Sequence, residues 1–120
     1  RSGEKMPKMK LKIELSNKEE KRTWKVIGII QEKILKYKED DTTVTLDYKK
    51  HILKRDNKEL QIVLYFKMNQ GLITIKENNQ RIEVPIETKR IEIKNNDIRI
   101  EYQIGDEFFM YQVEEEKWAY

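Results

Sequence analysis

Arg55 is the side chain in this sequence best placed to recognise a ligand. It ends an alternating run beside the tight turn Asp56-Asn57, where a guanidinium could clamp a carboxylate or phosphate at the mouth of a barrel. The competing expectation is an ion pair with Asp56 or Glu59 that simply holds the hairpin, which is the commoner use of an arginine beside a turn. His51 is the single histidine. A catalytic triad or a zinc site would need further partners, and serine is nearly absent, with only Ser16 beyond Ser2. In Lys49-Lys50-His51-Ile52 the histidine reads as a surface group at the start of a basic strand.

Carboxylates could do acid–base work without histidine. The candidates are Glu39-Asp40-Asp41 and Glu114-Glu115-Glu116. They read better as a turn and a solvated strand end, because neither is surrounded by the apolar residues that split two pKa values. The ligand spacing of a calcium loop is also missing. Gly3, Gly28, Gly71 and Gly105 are scattered and form no phosphate-cradling loop. There is no cysteine, so thiol chemistry, disulfides and thiolate metal sites are excluded. No cofactor and no metal are expected, and an enzyme built from carboxylates and tyrosines alone ranks a distant third among readings. Trp24, Tyr65, Phe66, Tyr102 and Tyr111 supply aromatic bulk that would fill a core or line a cavity. Arg55, Tyr65, Phe66, Tyr102 and Tyr111 form the candidate ligand-binding set.

The elements that must position these residues announce themselves by period-two alternation. Met9, Leu11, Ile13 and Leu15 alternate with lysines and Glu14. Val44, Leu46 and Tyr48 repeat the pattern. Leu60, Ile62, Leu64, Phe66 and Met68 give the longest apolar face. Ile73 and Ile75, Ile82 to Ile86, Ile91 and Ile93, Ile98 to Ile104, and Phe109 to Val113 follow. β-Branched and aromatic residues dominate, as half-buried strands favour. Between the runs stand short breaks such as Asp40-Asp41, Asn69-Gln70-Gly71, Asn78-Asn79 and Gly105-Asp106. These residue types tolerate positive φ or bond their own backbone, so the breaks are hairpin turns. Crossover helices have no room.

Ser16 to Tyr37 carries two signals. Ser16-Asn17-Lys18-Glu19 has the form of a capping box, with Trp24, Ile27, Ile30, Ile34 and Tyr37 at helical spacing. Against a helix, Val26-Ile27-Gly28-Ile29-Ile30 sets four β-branched residues around a glycine. Two strands are expected, near 21–30 and 33–39.

Composition bounds the rest. Charged residues make up 39% of 120 residues, yet the net charge is +3; mixed signs suit a solvated face rather than a nucleic-acid footprint. Residues 1–60 hold 17 basic and 11 acidic side chains, against 8 and 11 in 61–120, so any basic surface belongs to the first half. Arg1-Ser2-Gly3-Glu4-Lys5 ahead of Met6 reads as a cloning remnant (residues 1–5), leaving 6–120 as one domain. Neither a signal peptide nor a membrane span is evident, and a cytoplasmic location is expected.

These stretches resemble the YwiB-like proteins of low-GC Gram-positive bacteria, a family without known function. The similarity lies in Tyr37-Lys38-Glu39-Asp40-Asp41 and the strand to Tyr48, Arg55-Asp56-Asn57, Leu64-Tyr65-Phe66, Val84-Pro85-Ile86-Glu87-Thr88 and Ile98-Arg99-Ile100-Glu101-Tyr102. Gly28 fits as well, whereas Asn78-Asn79-Gln80 stands where the family has a glycine. The resemblance implies a calycin-type, lipocalin-like barrel and brings no activity, cofactor or catalytic residue.

The expectation is therefore an all-β fold: a single antiparallel meander closed into a calycin-like barrel of about 8–10 strands, since closure removes exposed edges. Its expected role is non-enzymatic binding of a small, partly apolar ligand in the interior. The alternative is a filled barrel whose surface contacts a protein or RNA partner, with Trp118 and Tyr120 part of that surface. A barrel of this size can accommodate either outcome.

Overall fold

The computed structural model describes residues 8–116. Arg1–Lys5, Trp118 and Tyr120 lie outside the described residues. Eleven strands follow one another: β1 (Lys8–Ser16), β2 (Lys21–Gln31), β3 (Ile34–Glu39), β4 (Thr42–Asp47), β5 (Ile52–Asp56) and β6 (Leu60–Tyr65). The series continues with β7 (Gln70–Ile75), β8 (Gln80–Pro85), β9 (Glu87–Lys94), β10 (Asp97–Ile104) and β11 (Glu107–Glu116). The described residues contain no helix. The strands form one antiparallel sheet in the order β8-β7-β6-β5-β4-β3-β2-β1-β11-β10-β9. It is the expected meander, and it curls into a nearly closed barrel of calycin-like shape. The strand count exceeds the expected 8–10 because even the five-residue β5 pairs with a neighbour on each side.

Residues 16–37 resolve into a hairpin loop and two strands. Asn17, inside the apparent capping box, accepts bonds from the backbone N–H groups of Glu19 and Glu20. The same side-chain chemistry that caps a helix here closes the β1–β2 turn. The β2–β3 turn is Glu32-Lys33, both at positive φ (53° and 66°), the backbone hand that a two-residue hairpin requires.

Two runs end differently from the alternation in the sequence. β6 stops at Tyr65, and residues 66–69 turn, with Asn69 at φ 54°. Phe66 is buried within that turn, whereas Met68 is 69% exposed. Alternation overran the strand here because a buried turn residue mimics one more inward step. Gly71, expected in the turn, instead lies inside β7 on the inner face, opposite Leu64 and Val84.

The core sits within the curl. Leu11, Ile13, Leu35, Val44, Leu46, Ile98, Ile100, Tyr111 and Val113 are almost wholly buried. Gly28 lets β1 and β3 approach: a Cβ there would stand 2.7 Å from Leu11 Cδ1 and 3.0 Å from Leu35 Cδ1. The free edges are β8 and β9, and no ladder joins them among the described residues. Pro85, ending β8, has no N–H to donate, and Ile86 N–H turns to Asn69 O at 3.1 Å. The seam is fastened at one end. Thr88 donates from N–H to Asn69 Oδ1 (3.0 Å) and from its hydroxyl to Phe66 O (2.8 Å). Elsewhere, the Tyr48 hydroxyl donates to Asn96 O at 2.6 Å, tying the β4–β5 turn to the β9–β10 turn.

Candidate functional site

The inner row of β3, β4, β5, β6 and β7 runs Tyr37, Val44, Arg55, Ile62, Ile73, each directly opposite the next. Arg55 therefore faces inward, because Leu53 before it is inward and the strand period is two. Its partner is Glu39, not Asp56 or Glu59. Nη1 reaches Glu39 Oε1 at 3.0 Å and Oε2 at 3.2 Å. Glu39 continues the inward alternation of Leu35 and Tyr37, and the small Thr42 opposite it leaves the space the pair crosses. Asp56 faces outward and binds Lys76 at 2.6 Å. Burial is the largest influence on Arg55 and works against its charge, but Glu39, Tyr37 and Tyr111 together outweigh it and the guanidinium pKa is raised.

Beside this ion pair, the Tyr37 and Tyr111 hydroxyls share a hydrogen bond of 2.7 Å. Burial raises both pKa values, so both phenols stay neutral. Tyr102 is 6% exposed and stacks on Phe109 at 5.3 Å. Burial pushes its pKa up to about 12, against the opposing pull of Arg55. Its hydroxyl stays protonated at neutral pH.

Arg55, Tyr102 and Tyr111 border a cavity of about 220 Å³. One wall comes from β5–β8, with Leu53, Ile62, Leu64, Ile73 and Val84; β1, β10 and β11 face it with Leu15, Tyr102, Ile104 and Tyr111. Gly71 accounts for part of the space, since it places no side chain between Leu64 and Val84. Arg55 is the one charged residue among those lining it. Leu15, Ile62, Ile73, Val84 and Ile104 are only half-buried, so the cavity communicates with solvent.

Of the candidate set, Arg55, Tyr102 and Tyr111 border the cavity. Phe66 does not line it but packs on Tyr102 with ring centroids 5.2 Å apart. Tyr65 pairs with Ile52 on the outer face, one residue out of phase with inward Leu64, and is separated from the others. Trp24 packs on the core opposite Ile13, with Arg22 over its ring at 5.6 Å. Sequence reasoning read Glu39 as part of a turn rather than as the partner of Arg55, and did not place Tyr37 at the site. Their signal was the inward phase of 35, 37 and 39, which carries an acid opposite in sign to the inward Arg55.

His51 occupies the turn before β5 at φ 57° and is half-buried. Burial and then Lys67 lower its pKa. Among the described residues, no group of three or more His, Cys, Asp or Glu side chains could hold a metal ion, and no helix is long and apolar enough to cross a membrane. The polar groups at the cavity border are the Arg55 guanidinium, paired with Glu39, and the Tyr102 and Tyr111 hydroxyls, beside apolar walls. Compared with protein-family models, curated proteins and solved structures, the chain matches none of them.

Proposed function

We propose that this protein is a non-enzymatic, calycin-like binding barrel that holds a small, partly apolar ligand in its interior. The observation that carries the reading is the cavity of about 220 Å³ with apolar walls and one guanidinium at its border. Mostly apolar lining with a few convergent polar groups is the usual make-up of a small-molecule site. The hydroxyls present are held protonated and no nucleophile or general base among the described residues borders the cavity, which favours binding over catalysis. A relationship to the YwiB-like proteins, and a bacterial, cytoplasmic setting, belong to the same reading. Native mass spectrometry of gently purified protein, beside a denatured control, tests it. A reproducible mass excess that vanishes on denaturation is expected; a bare mass in every preparation would contradict it.

A second reading, surface binding of RNA, has its own observation. On the outer face Lys8, Ile29, Lys36, Thr45 and Lys54 lie directly opposite one another in turn, and Lys12 stands against Lys25. Lys12 and Lys25 have acidic neighbours, Glu114 opposite Lys12 and Glu116 at 3.4 Å from Lys25, so the row of Lys8, Lys36 and Lys54, spaced by Ile29 and Thr45, is the part that would attract a polyanion. RNA retention that falls steeply with salt supports this reading, and salt-insensitive or absent retention opposes it.

A further inference from the structure

We infer that this cavity selects an uncharged ligand, a largely apolar molecule with a neutral oxygen function such as a small alcohol or amide, and that Glu39 sets the selection by cancelling the charge of Arg55. The inference rests on the interior-binding reading and adds the charge class of the ligand and the residue that fixes it.

The first observation is the charge balance at the border. Arg55 alone would draw an anion, since the other residues lining the cavity carry no charge. It is not alone. Both carboxylate oxygens of Glu39 lie against Nη1, at 3.0 and 3.2 Å, and the two side chains are only 24% and 19% exposed. Opposite charges this close largely cancel at the distance of a ligand. Nη2 has essentially no accessible surface and does not reach the cavity space. A carboxylate, phosphate or ammonium entering from water would give up its hydration and meet no countercharge, which is costly.

The second observation is the hydrogen-bonding capacity that remains. The Tyr111 hydroxyl is engaged with Tyr37. The Tyr102 hydroxyl and Arg55 Nε have no hydrogen-bond partner among the described residues. A phenol both donates and accepts, so an alcohol hydroxyl or an amide can meet it without bringing a charge inside. The rest of the lining is aliphatic, with Leu53, Ile62, Leu64, Ile73 and Val84 on one wall and Leu15 and Ile104 facing them.

Size sets the remainder of the molecule. A cavity of roughly 150 Å³ admits benzene, so about 220 Å³ admits on the order of nine heavy atoms by the same ratio.

Calorimetric titration of the full chain with benzyl alcohol, benzamide, benzoate and benzylammonium tests this, because the four probes share one ring and differ in charge. Benzyl alcohol and benzamide are expected to bind at least about tenfold more tightly than either ion. Glu39→Gln keeps an oxygen against Arg55 but leaves the guanidinium unbalanced. It should raise benzoate affinity about tenfold and change that for benzyl alcohol by less than about twofold. Should Glu39→Gln not fold, the reciprocal Arg55→Gln should instead raise the affinity for benzylammonium, the carboxylate then being the unbalanced charge. An ion that binds the unaltered chain as tightly as benzyl alcohol would overturn the inference and leave interior binding standing. Ion affinities that do not move in the folded variant would overturn the role of Glu39. Failure of all four probes to bind would overturn both the inference and the interior-binding reading.

Discussion

The hydroxyls of Tyr37 and Tyr111 meet at 2.7 Å inside the barrel, joining β3 to β11 across a separation of 74 residues. With only β1 and β2 between those strands in the sheet, the bond spans the concave side of the curl. Tyr111 is fully buried, so neither hydroxyl can exchange its partner for water without movement.

This pair should behave as a unit. Tyr37→Phe alone strands the Tyr111 hydroxyl and is expected to cost about 1–3 kcal/mol, whereas Tyr37→Phe with Tyr111→Phe should cost less than the sum of the singles. Chemical denaturation of the four proteins completes the cycle. Strict additivity would mean that the hydroxyls do not interact in solution.

Alkaline pH should unfold the protein cooperatively. Burial raises the pKa of Tyr37, Tyr48, Tyr102 and Tyr111, that of Tyr102 to about 12. A phenol whose folded pKa lies above its unfolded value of 10.0 stabilises the fold fully below that pH. The contribution is lost as pH rises through 10 towards the folded value. Each such group weakens stability by about 1.4 kcal/mol per pH unit in that window. Four together would remove about 5 kcal/mol per unit, a large part of an ordinary domain's stability. Tyrosinate absorbance and circular dichroism should change together. Gradual ionisation with the fold intact would contradict these burials.

The β2–β3 turn offers a stabilising change. Glu32 and Lys33 both hold positive φ, which costs an ordinary residue about 1 kcal/mol or more. Replacing them by Glu32→Asn and Lys33→Gly, the pair this turn favours, should raise the denaturation midpoint. An unchanged or lower midpoint would show that the turn is built otherwise.

How much of this was legible beforehand differs between the sheet and the site. Alternation such as Met9-Leu11-Ile13 and Ile98-Ile100-Tyr102 located strands because one face meets water and the other does not. Gly28 within a β-branched run outweighed the helical spacing of Trp24 to Tyr37, since extended backbone suits those residues and close approach needs the glycine. Phe66 and Gly71 were misplaced because local patterning does not register where a chain turns while staying buried. The partner of Arg55 was hidden for another reason. Glu39 meets it only through the registers of β3 on β4 and β4 on β5, and no local window contains both.

Gly71 controls the size of the cavity. A Cβ there would lie 3.1 Å from Leu64 Cδ2 and 3.3 Å from Val84 O, tight contacts that displace a neighbour slightly. Gly71→Ala should leave stability within about 1 kcal/mol, because alanine also relieves the entropic cost of glycine in a strand. Affinity for an interior ligand should fall by about tenfold, the scale of overpacking by one carbon. Unchanged affinity would place the ligand elsewhere.

The most direct test of an open interior is a crystal structure of the protein under xenon pressure. Apolar cavities take up xenon, and an atom bordered by Leu64, Gly71, Ile73 and Tyr102 is expected. An interior without xenon, with Leu64 and Ile73 closed over Gly71, would show that the barrel is filled and contradict the proposal that it binds a ligand inside.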